Sequence, residues 1–410
     1  MIFNETIYNK SWDIKSLKEL GTFSRGRSKH RPRNDKILFE NGSYPLIQTS
    51  DVKKSNLYIL NYSSAYNEQG LKQSKMWDAG TLCITIAANI ADTGILKFPM
   101  CFPDSVVGFK AYNDVSSELF MHYIFSYIKK CINKTVSGSI QDNINIEYLS
   151  NLKLRVPNKE HQDKIISILT SIDNKIANNN LIINKIEKYM SLEYNYWFEQ
   201  FKNMYDNEQL VYSDKVMKKI PKNWEIISLG EYLTFEKGIE VGSDNYVEDK
   251  FDDPLYVKFF RVSDMDDTGN TYTKKELTSN VRVKSDDILV SFDGTPGKIG
   301  IGLEGSYSTG MKKVYDKNNI LNNAVIYTIF NSDYIKYIIN QYSTGSNIKH
   351  ASESLNHMFI PFNKDEYIKF REIITPKFNL MLNLKLENNK LKEMREFLLP
   401  LLMTGQIKIQ

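Results

Sequence analysis

The sequence contains no long apolar run and few cysteines. No stretch of its 410 residues approaches the roughly 20 consecutive apolar residues that a membrane-spanning helix needs, and the N-terminus has no basic and apolar signal pattern. Cys83, Cys101 and Cys131 form no CxxC pair, so we expect reduced side chains rather than disulfides or metal ligands. These absences predict a cytoplasmic protein.

The common sequence signatures of catalysis are absent too. The chain has no NPPY-type tetrapeptide, no glycine-rich cofactor loop and no Walker motif, and its five histidines show no metal-ligand spacing. Residues 293–298 superficially resemble a phosphate-binding loop, but Ile299 follows Lys298 where a Ser or Thr is required. We therefore predict that the chain catalyses no reaction and binds no metal or cofactor itself.

The charge balance is modest. A formal net charge of +4, with 41% hydrophobic and 25% charged residues, is ordinary for a globular protein. It does not by itself indicate a nucleic-acid partner, so local clusters of cations must carry that argument. The length allows two domain cores of ordinary size.

The most informative feature that is present is an internal duplication. WDIKSLKELGTFSRG, from Trp12, returns without a gap as WEIISLGEYLTFEKG from Trp224. Later segments repeat in the same order, and each copy closes on a proline, Pro157 or Pro361, before a helical run. We predict a globular domain at 1–158, a helix at 159–205, a second domain at 206–363 and a second helix at 364–410.

Both helical runs carry a heptad pattern. The first comprises Ile165, Leu169, Ile172, Ile176, Asn179, Ile183, Ile186, Met190, Glu193 and Trp197, and the second Phe370, Ile374, Lys377, Met381, Leu384, Asn388, Leu391, Arg395, Leu398 and Leu402. One interpretation is two separate amphipathic helices, each on its own domain. The other is an antiparallel coiled coil in which Asn179 and Asn388 fix the register. Pro376 predicts an interruption and restart of the second helix.

The domains themselves show a mixed pattern. Short apolar runs at 82–86, 288–292 and 324–330 predict strands, whereas 116–131 and 332–342 predict helices. We expect an α+β fold: two repeated globular domains separated by two long antiparallel helices, with pseudo-two-fold symmetry.

A basic loop follows the first repeat motif. It places a cation at every second position, namely Arg25, Arg27, Lys29, Arg31 and Arg33. In an extended chain these side chains share one face, which suits contact with DNA phosphates or guanine edges; the alternative is a solvated loop. After Lys237 the second copy is acidic instead, with Glu240, Asp244, Glu248, Asp249, Asp252 and Asp253.

Further candidate contacts lie in glycine-containing loops. They are Ser139, Gln141 and Asn143 in the first copy, and Lys237, Lys298, Ser346, Asn347 and Lys349 in the second. Gln and Asn suit adenine edges, and Lys suits phosphates. Ordinary turn and capping roles explain the Ser, Asn and Gln residues equally well.

The repeated W-[DE]-I-x-S-L-x-E motif, YNYWFEQF from Tyr194 and REFLLPLLMTGQIKI from Arg395 resemble the specificity subunits of type I restriction-modification systems. The resemblance covers essentially the whole chain. It implies two target recognition domains, each recognising one half of a split site in double-stranded DNA. It also implies that the helices set the spacing and dock two methyltransferase subunits, which restriction subunits join. S-adenosylmethionine, ATP and Mg²⁺ then belong to those partners.

Two other functions remain open. The chain could be a self-contained nuclease or modification enzyme, which activity of the isolated chain would reveal. It could also be a coiled-coil protein adaptor, for which DNA affinity should be negligible; the basic loop argues against this.

Overall fold

The computed structural model describes residues 5–55, 57–87, 91–135, 146–202, 209–248, 253–265, 269–345 and 349–409. The chain divides into two compact units. Unit 1 comprises residues 1–177 and 391–410, and unit 2 comprises residues 178–390. Each unit therefore contains one copy of the repeat together with a part of each long helix.

Unit 1 contains strands β1 (Asp13–Ser16), β2 (Gly21–Arg25), β3 (Tyr44–Leu46), β4 (Tyr58–Ile59), β5 (Ser64–Tyr66), β6 (Met76–Trp77), β7 (Leu82–Thr85), β8 (Thr93–Leu96), β9 (Met100–Cys101), β10 (Val106–Ala111) and β11 (Lys153–Val156). Its helices are α1 (Leu17–Leu20), α2 (Thr49–Lys54), α3 (Glu68–Gln73), α4 (Glu118–Thr135), α5 (Ile146–Asn151) and the first part of α6 (Lys159–Tyr194).

Unit 2 contains strands β12 (Leu210–Ser213), β13 (Lys218–Pro221), β14 (Glu225–Ser228), β15 (Thr234–Lys237), β16 (Val247–Glu248), β17 (Tyr256–Phe260), β18 (Thr271–Lys274), β19 (Ile288–Ser291), β20 (Asp293–Gly294), β21 (Ile299–Gly300), β22 (Ser306–Tyr307), β23 (Met311–Tyr315), β24 (Lys349–His350) and β25 (Phe359–Phe362). Its helices are α7 (Leu229–Tyr232), α8 (Asn323–Asn331), α9 (Asp333–Gln341) and most of α10 (Lys364–Met403); the end of α6 continues into a π-helical turn, Asn195–Glu199.

The duplication extends to sheet topology. The main sheet has the order β2-β10-β7-β8-β4 in unit 1 and β15-β23-β19-β21 in unit 2. A smaller sheet in each unit contains one parallel pair, β3 with β9 or β17 with β22. An antiparallel pair, β1 with β11 or β14 with β25, joins the start of each copy to the strand before its long helix. The predicted α+β fold with two repeated domains is confirmed.

Each core lies between the main sheet and helices. In unit 1, Phe120, Tyr123 and Ile124 of α4 lie at helical spacing and pack towards β7 and β8, together with Ile165 and Leu169 of α6. In unit 2, α8, α9 and the first half of α10 enclose the equivalent core. The strands predicted at 82–86 and 288–292 are β7 and β19, and the helices predicted at 116–131 and 332–342 are α4 and α9.

The heptad residues of the long helices are largely the buried ones. They include Ile165, Leu169, Ile172, Ile176, Asn179, Ile183 and Met190 on α6, and Phe370, Ile374, Met381, Asn388 and Leu402 on α10. Within unit 2, Asn179 hydrogen-bonds to Asn388. In the π-helical turn that follows α6, Trp197 packs against Phe370, which comes earlier in α10 than Asn388. The two helices are therefore antiparallel, as predicted.

Residues 324–330, predicted as a strand, form a helix instead. Every side chain from 324 to 330 is buried in α8. Because all faces are apolar, the sequence there has no polar face from which a helical period can be identified. The helix start is set by Asn322, whose Oδ1 accepts the Val325 N–H at 3.2 Å.

The predicted interruption at Pro376 is also wrong, because α10 continues through it. Proline removes the bond to the carbonyl of Glu372, but that residue is exposed to solvent. One residue earlier, the Thr375 hydroxyl donates to the Arg371 carbonyl at 2.6 Å and accepts the Asn322 side-chain amide at 2.9 Å. Tertiary packing thus holds the helix where local propensity predicts a break.

Candidate nucleic-acid interface

The basic loop begins where β2 leaves the main sheet of unit 1. Gly26 N–H donates to the Val106 carbonyl at 2.8 Å, and Arg27 N–H to the Phe102 carbonyl at 3.0 Å. A Cβ at Gly26 would collide with the carbonyl oxygen of Phe102. A residue without a side chain is therefore required between the two arginines that flank it.

The first half of the basic loop is extended with its cations outward. Arg25, Arg27 and Lys29 are exposed, whereas Gly26 and Ser28 between them are buried. This is the predicted alternation. In the part of the chain that the structure describes, these three cations form no ion pair, so their charges face solvent.

Contacts to α3 hold the loop in this conformation. The side-chain oxygen of Gln73 accepts the N–H of Lys29 at 2.7 Å and that of His30 at 3.1 Å. The Ser74 hydroxyl donates to the Arg27 carbonyl at 2.9 Å. The exposed cations therefore stand on an anchored backbone, which reduces the entropy lost on binding.

The second half of the loop differs from the prediction of five cations on one face. Arg33 Nη2 donates to both carboxylate oxygens of Asp104, at 2.8 and 3.0 Å. Arg31 donates to the carbonyls of Ser28 and His30 and lies 4.0 Å from the same Asp104 carboxylate. Asp104 is far away in sequence, so no local pattern reveals that it neutralises this end of the loop.

A second acid ends the basic loop. Asp35 accepts a hydrogen bond from the His30 ring at 2.8 Å and one from the N–H of Ile37 at 3.1 Å. The His30 contact, and after it the Ile37 contact, lowers the pKa of Asp35. The free cations are therefore confined to residues 25–29.

Unit 2 repeats this strand end with different chemistry. Lys237 ends β15 where Arg25 ends β2, and a Cβ at the following Gly238 would collide with the Ser308 carbonyl. The chain then becomes acidic: Glu240 accepts hydrogen bonds at 3.2 Å from both the Tyr246 hydroxyl and the Gly242 N–H. Asp249 and Asp252 lie outside the described residues.

Two predicted loops of unit 2 are joined. The backbone of Gly294 pairs with that of Lys349, and the carboxylate of Asp293 lies 2.7 Å from His350 Nδ1. Lys298, predicted to contact phosphate, donates to the Val262 carbonyl at 3.3 Å within its own domain. The loop at 293–298 is thus a hairpin connection between β19 and β21 rather than a phosphate-binding loop.

The other predicted DNA contacts lie in segments that the structure does not describe or describes only in part. Ser139, Gln141, Asn143, Ser346 and Asn347 lie outside the described residues, and Lys349 is described through its backbone alone. Among the described residues, no group of His, Cys, Asp and Glu side chains could hold a metal ion. No described helix is long and apolar enough to cross a membrane.

One cation at this surface was missed from the sequence. Lys312 of β23 lies directly opposite Lys237. Burial lowers the pKa of Lys312, and Lys237 lowers it further, whereas Asp293 raises it. Lys312 sits within an ordinary strand pattern, so only strand pairing reveals that it joins Lys237.

Comparison with known proteins finds similarity to one family. Residues 9–188 match the family model described as Type I restriction modification DNA specificity domain. The MjaIX specificity subunit of a type I restriction enzyme from Methanocaldococcus jannaschii is 23% identical across 98% of this chain and 94% of the relative. The chain is thus similar to the type I restriction-modification specificity subunits, and residues 9–188 match their DNA specificity domain. The MjaVIII specificity subunit from the same organism is 20% identical over the same shares of the two chains.

A solved structure shows the same fold. The crystal structure of the type I restriction-modification S subunit from M. genitalium aligns with this chain over 100% of both chains, with a TM-score of 0.55 and 15% sequence identity. Specificity subunits are the DNA-recognition components of their systems. In this chain, the family match includes the anchored loop that presents Arg25, Arg27 and Lys29 to solvent.

Proposed function

We propose that each unit of this specificity subunit recognises one half of a bipartite site in double-stranded DNA. The observation that carries the proposal is that the two units repeat one scaffold but differ in the surface that follows β2 in unit 1 and β15 in unit 2. After the same strand and the same obligatory glycine, unit 1 presents Arg27 and Lys29, whereas unit 2 continues with Glu240. Two unlike surfaces on one scaffold suit two unlike half-sites.

The long helices would set the separation of the half-sites. Helix α6 has 36 residues, which corresponds to a length of about 54 Å. Half-sites on one face of the duplex are about 34 Å apart, or one helical turn, which such a helix can span. The same helices would dock two methyltransferase subunits, with restriction subunits joining the complex.

The chemistry would then reside in the partners. The sequence lacks the motifs for methyl transfer, ATP hydrolysis and cleavage, so S-adenosylmethionine, ATP and Mg²⁺ would bind to the methyltransferase and restriction subunits. The complex would act on DNA in the cytoplasm.

Methylation mapping tests the proposal. We would co-express this chain with its methyltransferase subunits and map methylated adenines across a genome by single-molecule sequencing. The expected result is a split motif, two unlike half-sites around a fixed number of unrecognised bases. A contiguous motif would contradict recognition by two units. Methylation or cleavage by the isolated chain would favour the self-contained enzyme, and absence of DNA binding would favour the adaptor.

A further inference from the structure

The strand end of unit 2 carries two cations where unit 1 carries one. Lys237 lies opposite Lys312 on adjacent antiparallel strands, and we refer to these two residues as the lysine pair. The equivalent position in unit 1 places Arg25 opposite Val107. Unit 1 places its further cations along the chain, whereas unit 2 has its second cation on the neighbouring strand.

Negative charge compensates the lysine pair only in part. Within the described residues neither Lys237 nor Lys312 forms an ion pair, although like charges directly opposite each other destabilise a sheet. The next pair of opposed residues shows the contrast, because Lys313 Nζ lies 2.9 Å from Glu236 Oε2. The same two strands thus neutralise one opposed pair and leave the adjacent one positive.

The surroundings of Lys312 hold its charge in place without neutralising it. Its Nζ lies over the Phe292 ring, 4.8 Å from the centroid, and the side chain is half-buried. Asp293 attracts Lys312 electrostatically, but the Oδ1 atom of that carboxylate also lies 2.7 Å from His350 Nδ1. Lys237 is exposed. An anion arriving from solvent can therefore contact Lys237 directly and lies close to the charge of Lys312.

We propose that the lysine pair, Lys237 and Lys312, binds a phosphate of the DNA backbone and so positions unit 2 on its half-site. The proposal rests on the proposed function, in which unit 2 contacts one half of the target. A phosphodiester supplies the negative charge that no ion pair supplies to Lys237 and Lys312 among the described residues, and the bound counterions of the DNA are released. Such a contact fixes position without recognising sequence.

The salt dependence of DNA binding tests the lysine pair. The complex with methyltransferase subunits would be titrated with a duplex that contains the mapped motif, at several salt concentrations. We expect Lys237→Gln with Lys312→Gln to reduce the slope of log K against log salt by about 0.9, the loss of one phosphate contact, and Lys312→Gln alone to reduce it by less. The methylated motif should stay the same. Lys313→Gln is the matched control, since it removes one charge from the adjacent position, and it should leave the slope unchanged.

Several results would overturn the inference. An unchanged slope in Lys312→Gln, or an equal fall in Lys313→Gln, would show that the lysine pair does not bind phosphate. If the wild-type complex showed no split motif, the proposed function would fail, while the slopes would still decide whether these lysines contact DNA.

Discussion

Asn179 and Asn388 hydrogen-bond to each other in the buried seam between the two long helices. Asn179 Nδ2 donates to Asn388 Oδ1 at 2.9 Å and, with its other hydrogen, to Glu387 Oε2 at 2.7 Å. Asn388 Nδ2 donates in turn to Asn180 Oδ1 at 2.9 Å. Any shift of one helix against the other would separate two buried amides, so the pair selects one register.

Replacing one member of this pair should cost more than replacing both. Asn179→Leu leaves the buried Asn388 oxygen unsatisfied, and we expect a loss of roughly 1–3 kcal/mol in unfolding free energy. Adding Asn388→Leu removes the unsatisfied group and should restore most of the loss. A double-mutant cycle by denaturant unfolding measures this coupling, with the exposed Asn178→Leu as control. Equal stability of Asn179→Leu and the wild type would contradict a structural role for the pair.

In the basic loop, the free arginine and the paired arginine can be tested separately. Arg27→Ala with Arg31→Ala should weaken DNA binding by the complex and lower the salt slope by about 1, mostly through Arg27. Arg33→Ala is the control, because its charge is already matched by Asp104, and it should change the slope little. If Arg33→Ala had the larger effect, the Asp104 pair would have to open on DNA.

Sequence reasoning worked where a pattern is periodic or repeated. The heptads around Asn179 and Asn388 predicted the helix pair, and the repeat at Trp12 and Trp224 predicted that there are two domains. Sequence reasoning failed where the contact partner of a residue is distant in sequence. Asp104 neutralises Arg33 from another loop, and Lys312 meets Lys237 through strand pairing; neither contact leaves a local signal. The helix at 324–330 was missed because complete burial removes the polar face that reveals periodicity.

A buried tyrosine links each globular domain to the long helices. In unit 1 the Tyr123 hydroxyl donates to Asp173 Oδ2 of α6 at 2.7 Å. Arg395 of α10 forms an ion pair with Asp173, with 2.8 Å between Nε and Oδ1. The Nε–H of Arg395 is not aligned for a hydrogen bond. Burial raises the pKa of Asp173, and Arg395 and Tyr123 oppose that rise. The carboxylate therefore depends on both partners to remain charged.

Unit 2 contains the same arrangement with different residues. The Tyr327 hydroxyl donates to Glu187 Oε1 of α6 at 2.6 Å, and Lys385 Nζ of α10 lies 3.7 Å from the same oxygen. In both units the acid is on the first long helix and the cation on the second. Each domain is thus attached to both helices through one carboxylate.

Removing either tyrosine hydroxyl should loosen one unit at a time. Tyr123→Phe leaves a carboxylate oxygen without its donor, and we expect a local loss of about 1.5–3 kcal/mol. Hydrogen exchange should then speed up in α4 and not in α8, with the reverse for Tyr327→Phe. The exposed Tyr337→Phe serves as control. Faster exchange in both units from a single variant would contradict separate attachments.

His122 on α4 is a buried histidine that stays neutral in the folded chain. Its Nδ1 lies 3.0 Å from the Thr93 hydroxyl, and its Nε2 has no hydrogen-bond partner among the described residues. Burial, and after it the charge of Arg395, lowers the pKa of His122 to about 3. An unfolded histidine titrates near 6.5. The unfolded state therefore binds a proton that the folded state does not bind, so stability is present above about pH 6.5 and lost as pH falls towards 3.

Protonation of His122 in the unfolded state should make the stability of unit 1 fall as the pH is lowered. Between pH 7 and pH 5 we expect His122 to account for a loss of about 2 kcal/mol. His122→Leu should remove that part of the pH dependence, even if losing the Thr93 contact lowers stability at both pH values. Hydrogen exchange of α4 amides at the two pH values, corrected for intrinsic rates, measures the difference. The exposed His350→Ala in unit 2 should leave it unchanged. An identical pH dependence in His122→Leu and the wild type would mean that the imidazole becomes protonated without unfolding, and that water reaches Nε2 in the native state.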